Sequence, residues 1–105
     1  MDGEYYLAKI RDELKITAYR GMRVKTTQGF GTIIGGKPGH IIVQLEKRIG
    51  SRNKRIDCDP ATVEYYQADG VIKTYVDGRM NVRFEDSFYE LSLPVQYGYN
   101  AYLKI

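Results

Sequence analysis

Two hydrophobic periods divide the chain at Gly21. Before it, Leu7, Ile10 and Leu14 recur at i, i+3 and i+7 with Tyr6 beside them, while Lys9, Arg11, Asp12, Glu13 and Lys15 fill the positions between. This spacing predicts a helix from about Glu4 to Thr17 with one narrow apolar stripe. Asp2 stands where an N-cap is expected, and Gly21 follows closely enough to serve the C-terminal turn. After Gly21 the period becomes two. Met22, Val24 and Thr26 alternate with Arg23, Lys25 and Thr27, and Ile41, Val43 and Leu45 alternate with His40, Ile42, Gln44 and Glu46. Ile56 and Cys58, then Met80, Val82 and Phe84, then Tyr89, Leu91 and Leu93 continue the pattern, and Val95 to Ile105 is its longest run. Sustained alternation predicts antiparallel strands with one buried face. The expected core comprises Val24, Ile34, Val43, Leu45, Val82, Phe84 and Leu91.

Turn chemistry separates the strands. Gly29-Phe30-Gly31 fits a tight bend, Gly35 to Gly39 a hairpin, and Val76-Asp77-Gly78-Arg79 a two-residue hairpin whose central residues need positive φ. The fold class expected is α+β, mainly β, in a single domain over residues 1–105: an N-terminal helix in 1–20, a small antiparallel barrel in 21–66, and further β-hairpins in 67–105.

The residues that suggest the barrel are Gly21-x-x-Val24, Gly29-Phe30-Gly31-Thr32-Ile33 and Ile41-Ile42-Val43-Gln44-Leu45-Glu46. Together they resemble an SH3-like small β-barrel of the KOW and Tudor-like group, in which a Gly-x-x-Val strand enters a Gly-rich bend, a second strand follows, and a V-x-V/L-E strand pairs with it. The same stretch is similar to the Tudor-like modules that end some repair helicases, although Gly-Phe-Gly-Thr stands here in place of Phe-Gly-x-Gly. The resemblance covers 21–66. It implies a fold and a binding role towards nucleic acid or protein, and no catalytic residues.

Composition fits a folded domain: 105 residues of which 43% are hydrophobic and 28% charged, with ten Tyr among them. No apolar run approaches the roughly 18 residues of a membrane span, and the acidic start does not resemble a signal peptide, so a cytoplasmic protein is expected. The net charge of +3 says little by itself. Its distribution says more, since five of the nine residues from Lys47 to Arg55 are basic and none is acidic. A short charge run of this kind is either a solvated loop or a phosphate-contacting one.

Sites for chemistry are few. Gly31 to Lys37 satisfies G-x-x-x-x-G-K, but Pro38 stands where a phosphate-binding loop needs Ser or Thr, and a strand follows where that motif opens a helix. Cys58 is the single cysteine, which excludes an internal disulfide; alternation turns it inward between Asp57 and Asp59. Flanking carboxylates raise rather than lower a thiol's pKa, so a structural role is expected. His40 is the lone histidine, and no paired-carboxylate or triad spacing appears. No enzyme, cofactor or metal is expected. Tyr66 and Tyr102 fall on the polar sides of their strands, where Tyr either half-buries as a strand former or serves stacking and interface contact.

These observations lead to a non-catalytic binding module. Nucleic acid is the first candidate ligand, held by Lys47, Arg48, Arg52, Lys54 and Arg55, with Arg23 and Lys25 on an outward strand face and phosphates as the contacts. The alternative is a protein-interaction or inhibitor protein of the kind encoded by mobile elements, using Tyr66 and Tyr102 or an edge strand. A homodimer formed through the odd-numbered face of Val95–Ile105 is a third option. No membrane partner is expected.

Overall fold

The computed structural model describes residues 3–50, 52–76, 78–86 and 90–94. One helix, α1 (Gly3–Leu14), precedes eight strands: β1 (Arg23–Thr26), β2 (Gly29–Lys37), β3 (His40–Ile49), β4 (Arg52–Cys58), β5 (Glu64–Tyr66), β6 (Val71–Val76), β7 (Arg79–Phe84) and β8 (Glu90–Pro94). A single 3-10 turn, Pro60–Thr62, joins β4 to β5, capped by Asp59, whose carboxylate accepts from the Ala61 N–H at 2.9 Å. All strands are antiparallel and form one sheet in the order β4-β3-β2-β1-β5-β6-β7-β8. The fold is therefore mostly antiparallel sheet with one N-terminal helix. The sheet is not closed: among the described residues no ladder joins β4 to β8.

The helix ends three residues earlier than its periodicity suggests. Lys15 adopts φ 58°, a left-handed conformation that stops the helix, and Leu14 is left 47% exposed while Leu7 and Ile10 are buried. Gly21 does not cap the helix; with φ 88° it belongs to a separate turn in which the Met22 N–H donates to the Tyr19 carbonyl. Arg11 folds the intervening chain back. Its guanidinium donates to the Ala18 carbonyl at 2.7 Å, pairs with Glu4 at 2.6 Å and lies 4.2 Å over the Tyr19 ring. Ile16 and Ala18 are thereby carried into the core.

Glycines decide how the helix meets the sheet. A Cβ on Gly3 would lie 2.6 Å from the Gly36 nitrogen and 2.8 Å from the Gly35 Cα, so the helix start rests directly on the β2 backbone. Gly35 and Gly36 are therefore strand residues under the helix and not part of a hairpin loop. The hairpin turn is only Pro38-Gly39, with Lys37 opposite His40. A bulge between Ile33 and Gly35 leaves Ile34 without a partner, which corrects its expected place in the core: Ile33 is fully buried and Ile34 only half-buried. The first bend is also displaced. Thr27-Gln28 turn the chain, and Phe30 and Gly31 already pair with Lys25 and Val24.

The core gathers Leu7, Ile10, Ile16 and Ala18 against Val24, Ile33, Ile41, Val43, Leu45, Val63, Tyr65 and Tyr75. Register lines up one inward row, Leu45–Gly31–Val24–Tyr65–Lys73–Val82–Leu91, across the sheet. Its first four members are buried. Val82 is only half-buried, Leu91 is 54% exposed, and Phe84, on the same face, is 52% exposed. These three expected core residues are corrected for one reason: over β7 and β8 the cover of this face reaches Met80 and Leu93, beside Tyr75, and does not extend along the strands to bury Val82, Phe84 and Leu91. The segments containing Asp2, Tyr89 and Val95–Ile105, with their expected cap, strand and dimer face, lie outside the described residues.

Candidate functional site

The cations singled out in the sequence fall into two groups. Register builds a row Arg55–Gln44–Thr32–Arg23–Tyr66–Ile72–Arg83 on the sheet face away from Val24 and Tyr65, exposed or half-buried except at Ile72, which is fully buried. Arg23, Lys25 and Tyr66 meet there around Phe30. The Arg23 guanidinium stacks 3.9 Å from the Phe30 centroid, the Lys25 ammonium lies 5.6 Å from it, and the Tyr66 ring meets Phe30 edge-on at 5.2 Å. Arg23 also makes a two-pronged ion pair with Glu46, Nε to Oε2 at 2.8 Å and Nη2 to Oε1 at 3.2 Å. That hydrogen-bonded pairing holds the Glu46 carboxyl below its ordinary range and raises the guanidinium. Tyr66 Oη donates to Glu64 Oε1 at 3.1 Å, and Arg83 donates to the same oxygen at 3.2 Å. Partial burial and the bond to Glu64 push the Tyr66 hydroxyl up, so it stays neutral. An open cleft of about 620 Å³ lies beside this cluster between residues 20–23 and 66–68, with Glu85 at one wall.

The second group sits on an arm. β3 pairs with β2 as far as Leu45, whereas β3 and β4 stay paired out to Ile49 opposite Arg52. Between Gln44–Arg55 and Arg48–Asn53 three residues of β3 face one of β4, an enlarged bulge at the arm's root, of the kind that bends a strand and increases its twist. Gly50, with φ 66°, supplies the left-handed conformation at the tip. What the sequence suggests is a loop is thus mostly strand. Lys47, Arg52, Lys54 and Arg55 are exposed, and among the described residues none of them forms an ion pair. Lys54 donates to Gln28 Oε1 at 3.2 Å and, with Lys47, Gln28 and Leu45, lines a hollow of about 200 Å³ at the arm's root. Arg48 is placed by backbone register opposite Asn53. Tyr102 lies outside the described residues.

Phe30, Glu46, Glu64 and Arg83 belong to the outward cluster but escape the sequence reading. The signal for Phe30 was present, since Phe30 and Thr32 alternate with Gly31 and Ile33, but the flanking glycines suggested a bend. The acidic partners could be found only through cross-strand register.

Cys58 is buried and faces the core, and burial, with Asp57 nearby, pushes its thiol up. We expect slow modification by iodoacetamide at pH 7 and a large acceleration once urea unfolds the chain; rapid reaction of the folded protein would contradict the inward placement. Among the described residues no three His, Cys, Asp or Glu side chains are grouped so as to hold a metal ion, and no helix is long and apolar enough to cross a membrane. No protein-family model, curated protein or solved structure matches the chain.

Proposed function

We propose that the chain is a non-catalytic binding module that holds nucleic acid through the β3–β4 arm. One observation carries this reading: Lys47, Arg52 and Lys54 lie on a ribbon beyond the sheet with Arg55 at its root, and among the described residues none of them is ion-paired, whereas Arg11, Arg23, Lys37 and Arg83 all are. Unpaired exposed cations on a rigid frame are suited to phosphate, and their counterion release makes binding steeply salt-dependent. The strand order β5-β1-β2-β3-β4, with a 3-10 turn between β4 and β5, supports an SH3-like arrangement of the first five strands.

The test is a salt titration of binding to DNA and RNA, in single- and double-stranded form, by the unmodified chain and the Arg52→Glu/Arg55→Glu variant. The double reversal should leave the fold intact, because exposed charges contribute little stability. It should weaken binding to all sequences alike and flatten the salt dependence by about one counterion per lost phosphate contact. Absence of any binding at low salt would defeat the proposal. A second reading, a protein-interaction surface or homodimer, is favoured by the exposure of Phe84 and Leu91 on one sheet face; light scattering at increasing concentration tests it.

A further inference from the structure

We infer that the β3–β4 arm enters the major groove of duplex DNA; the inference rests on the nucleic-acid reading above and adds the form of nucleic acid and the mode of docking. Three features of the arm converge. The first is its shape. A ribbon of two strands held about 4.8 Å apart, with its side chains, matches a groove about 12 Å wide. From the Gln44–Arg55 pair at its root to the Ile49–Arg52 pair, the arm advances three residues along β4, or roughly 10 Å, enough to reach the floor of a groove about 8.5 Å deep.

The second is the placement of charge. Alternation along β4 puts Arg52 and Lys54 on one face and, at the arm's root, Arg55 on the other, opposite Gln44 in the outward row. Cations on both faces of a ribbon suit a slot with phosphates along both walls. A flat anionic surface or a single strand laid across the sheet would engage one face only. The third is the bulge at residues 45–47, which interrupts the ladder at the arm's root; bulges bend and twist the strand that carries them, which gives the ribbon a means to leave the sheet plane and descend without the sheet meeting the backbone first.

The same geometry sets a preference. The major groove of A-form RNA is deep and too narrow for such a ribbon, so duplex RNA should be bound through its exterior phosphates alone. Fluorescence anisotropy with the full chain at low salt, using one sequence as duplex DNA, duplex RNA and each single strand, reads this directly. Duplex DNA should bind on the order of tenfold tighter than the other forms, and Arg52→Glu/Arg55→Glu should reduce duplex DNA to their level. Methyl green, which occupies the major groove, should displace the protein, and netropsin, in the minor groove, should not. Equal or tighter binding of a single strand or of duplex RNA, or displacement by netropsin alone, overturns the groove assignment and leaves the nucleic-acid reading standing. Loss of all nucleic-acid binding while vesicles rich in phosphatidylserine retain the protein overturns both.

Discussion

Replacing Tyr65 with Ala is expected to cost about 3–5 kcal/mol, a large part of the stability of a domain this size, and to lower the urea midpoint without changing the slope. Tyr65 is fully buried at the middle of the inward row, on the three-residue strand that connects β1 to β6. Its ring meets Tyr75 edge-on at 5.5 Å, and its hydroxyl donates to the Pro60 carbonyl at 2.6 Å. Truncation would open a cavity and orphan that carbonyl together. Tyr75 in turn holds the post-helix segment, its hydroxyl accepting from the Thr17 N–H at 3.2 Å. Burial pushes both phenols up, because a charged phenolate is poorly solvated there. A raised folded-state pKa means the folded chain keeps protons the unfolded chain releases. Stability from these groups is therefore fully present below about pH 10, the ordinary phenol value, and is lost as pH rises beyond it. A urea-unfolding series from pH 7 to pH 11 checks the sign; stability that grew with alkalinity would refute it.

Gly31→Val is expected to destabilise by about 1–3 kcal/mol or more, and Gly31→Ala to show much of the same loss. The residue needs no unusual φ; space is the constraint. A Cβ at this position would lie 2.5 Å from Val43 Cγ1 and 2.7 Å from the Gln44 carbonyl oxygen. The valine side chain could rotate, but the carbonyl belongs to the ladder and cannot move without breaking the Gly31–Leu45 and Thr32–Gln44 register. Thermal unfolding followed by circular dichroism measures the loss, and an unchanged midpoint for Gly31→Val would mean that β2 and β3 are further apart than described. Gly21, which has open space around it and φ 88°, tolerates Ala in volume but not in backbone conformation, so the two glycines separate steric from torsional cost.

The helix's existence and the inward faces of β1, β3 and β4 were legible because Leu7, Ile10, Val24, Ile41, Val43, Leu45 and Cys58 obey their local periods and are buried. Where the structure departs, the cause is non-local. Ile34 and Ile33 exchange roles because a bulge, invisible to alternation, shifts the phase of β2. Gly35 and Gly36 have the composition of a turn yet serve a helix that approaches from elsewhere in the chain. Phe84 and Leu91 alternate faultlessly, but burial also requires a covering element, and periodicity does not report one. At the candidate site, the dense run from Lys47 to Arg55 was evident, while the pairing of Arg23 with Glu46 depends on register that a single sequence does not state.

Among the described residues β4 is also the outermost strand on its side, so one row of its N–H and C=O groups has no described neighbour in the sheet. Such an edge is a template on which a second chain can add, and proteins guard it with charge. Arg52, Lys54 and Arg55 on this edge would repel an identical strand approaching in any register. The arm's cations therefore have a colloidal role as well. Exchanging them for glutamate preserves the repulsion between copies, whereas exchanging them for isoleucine or valine would expose a bare β-prone ribbon, with aggregation as the first visible result. Light scattering of the two kinds of variant at equal concentration would separate solubility from ligand affinity.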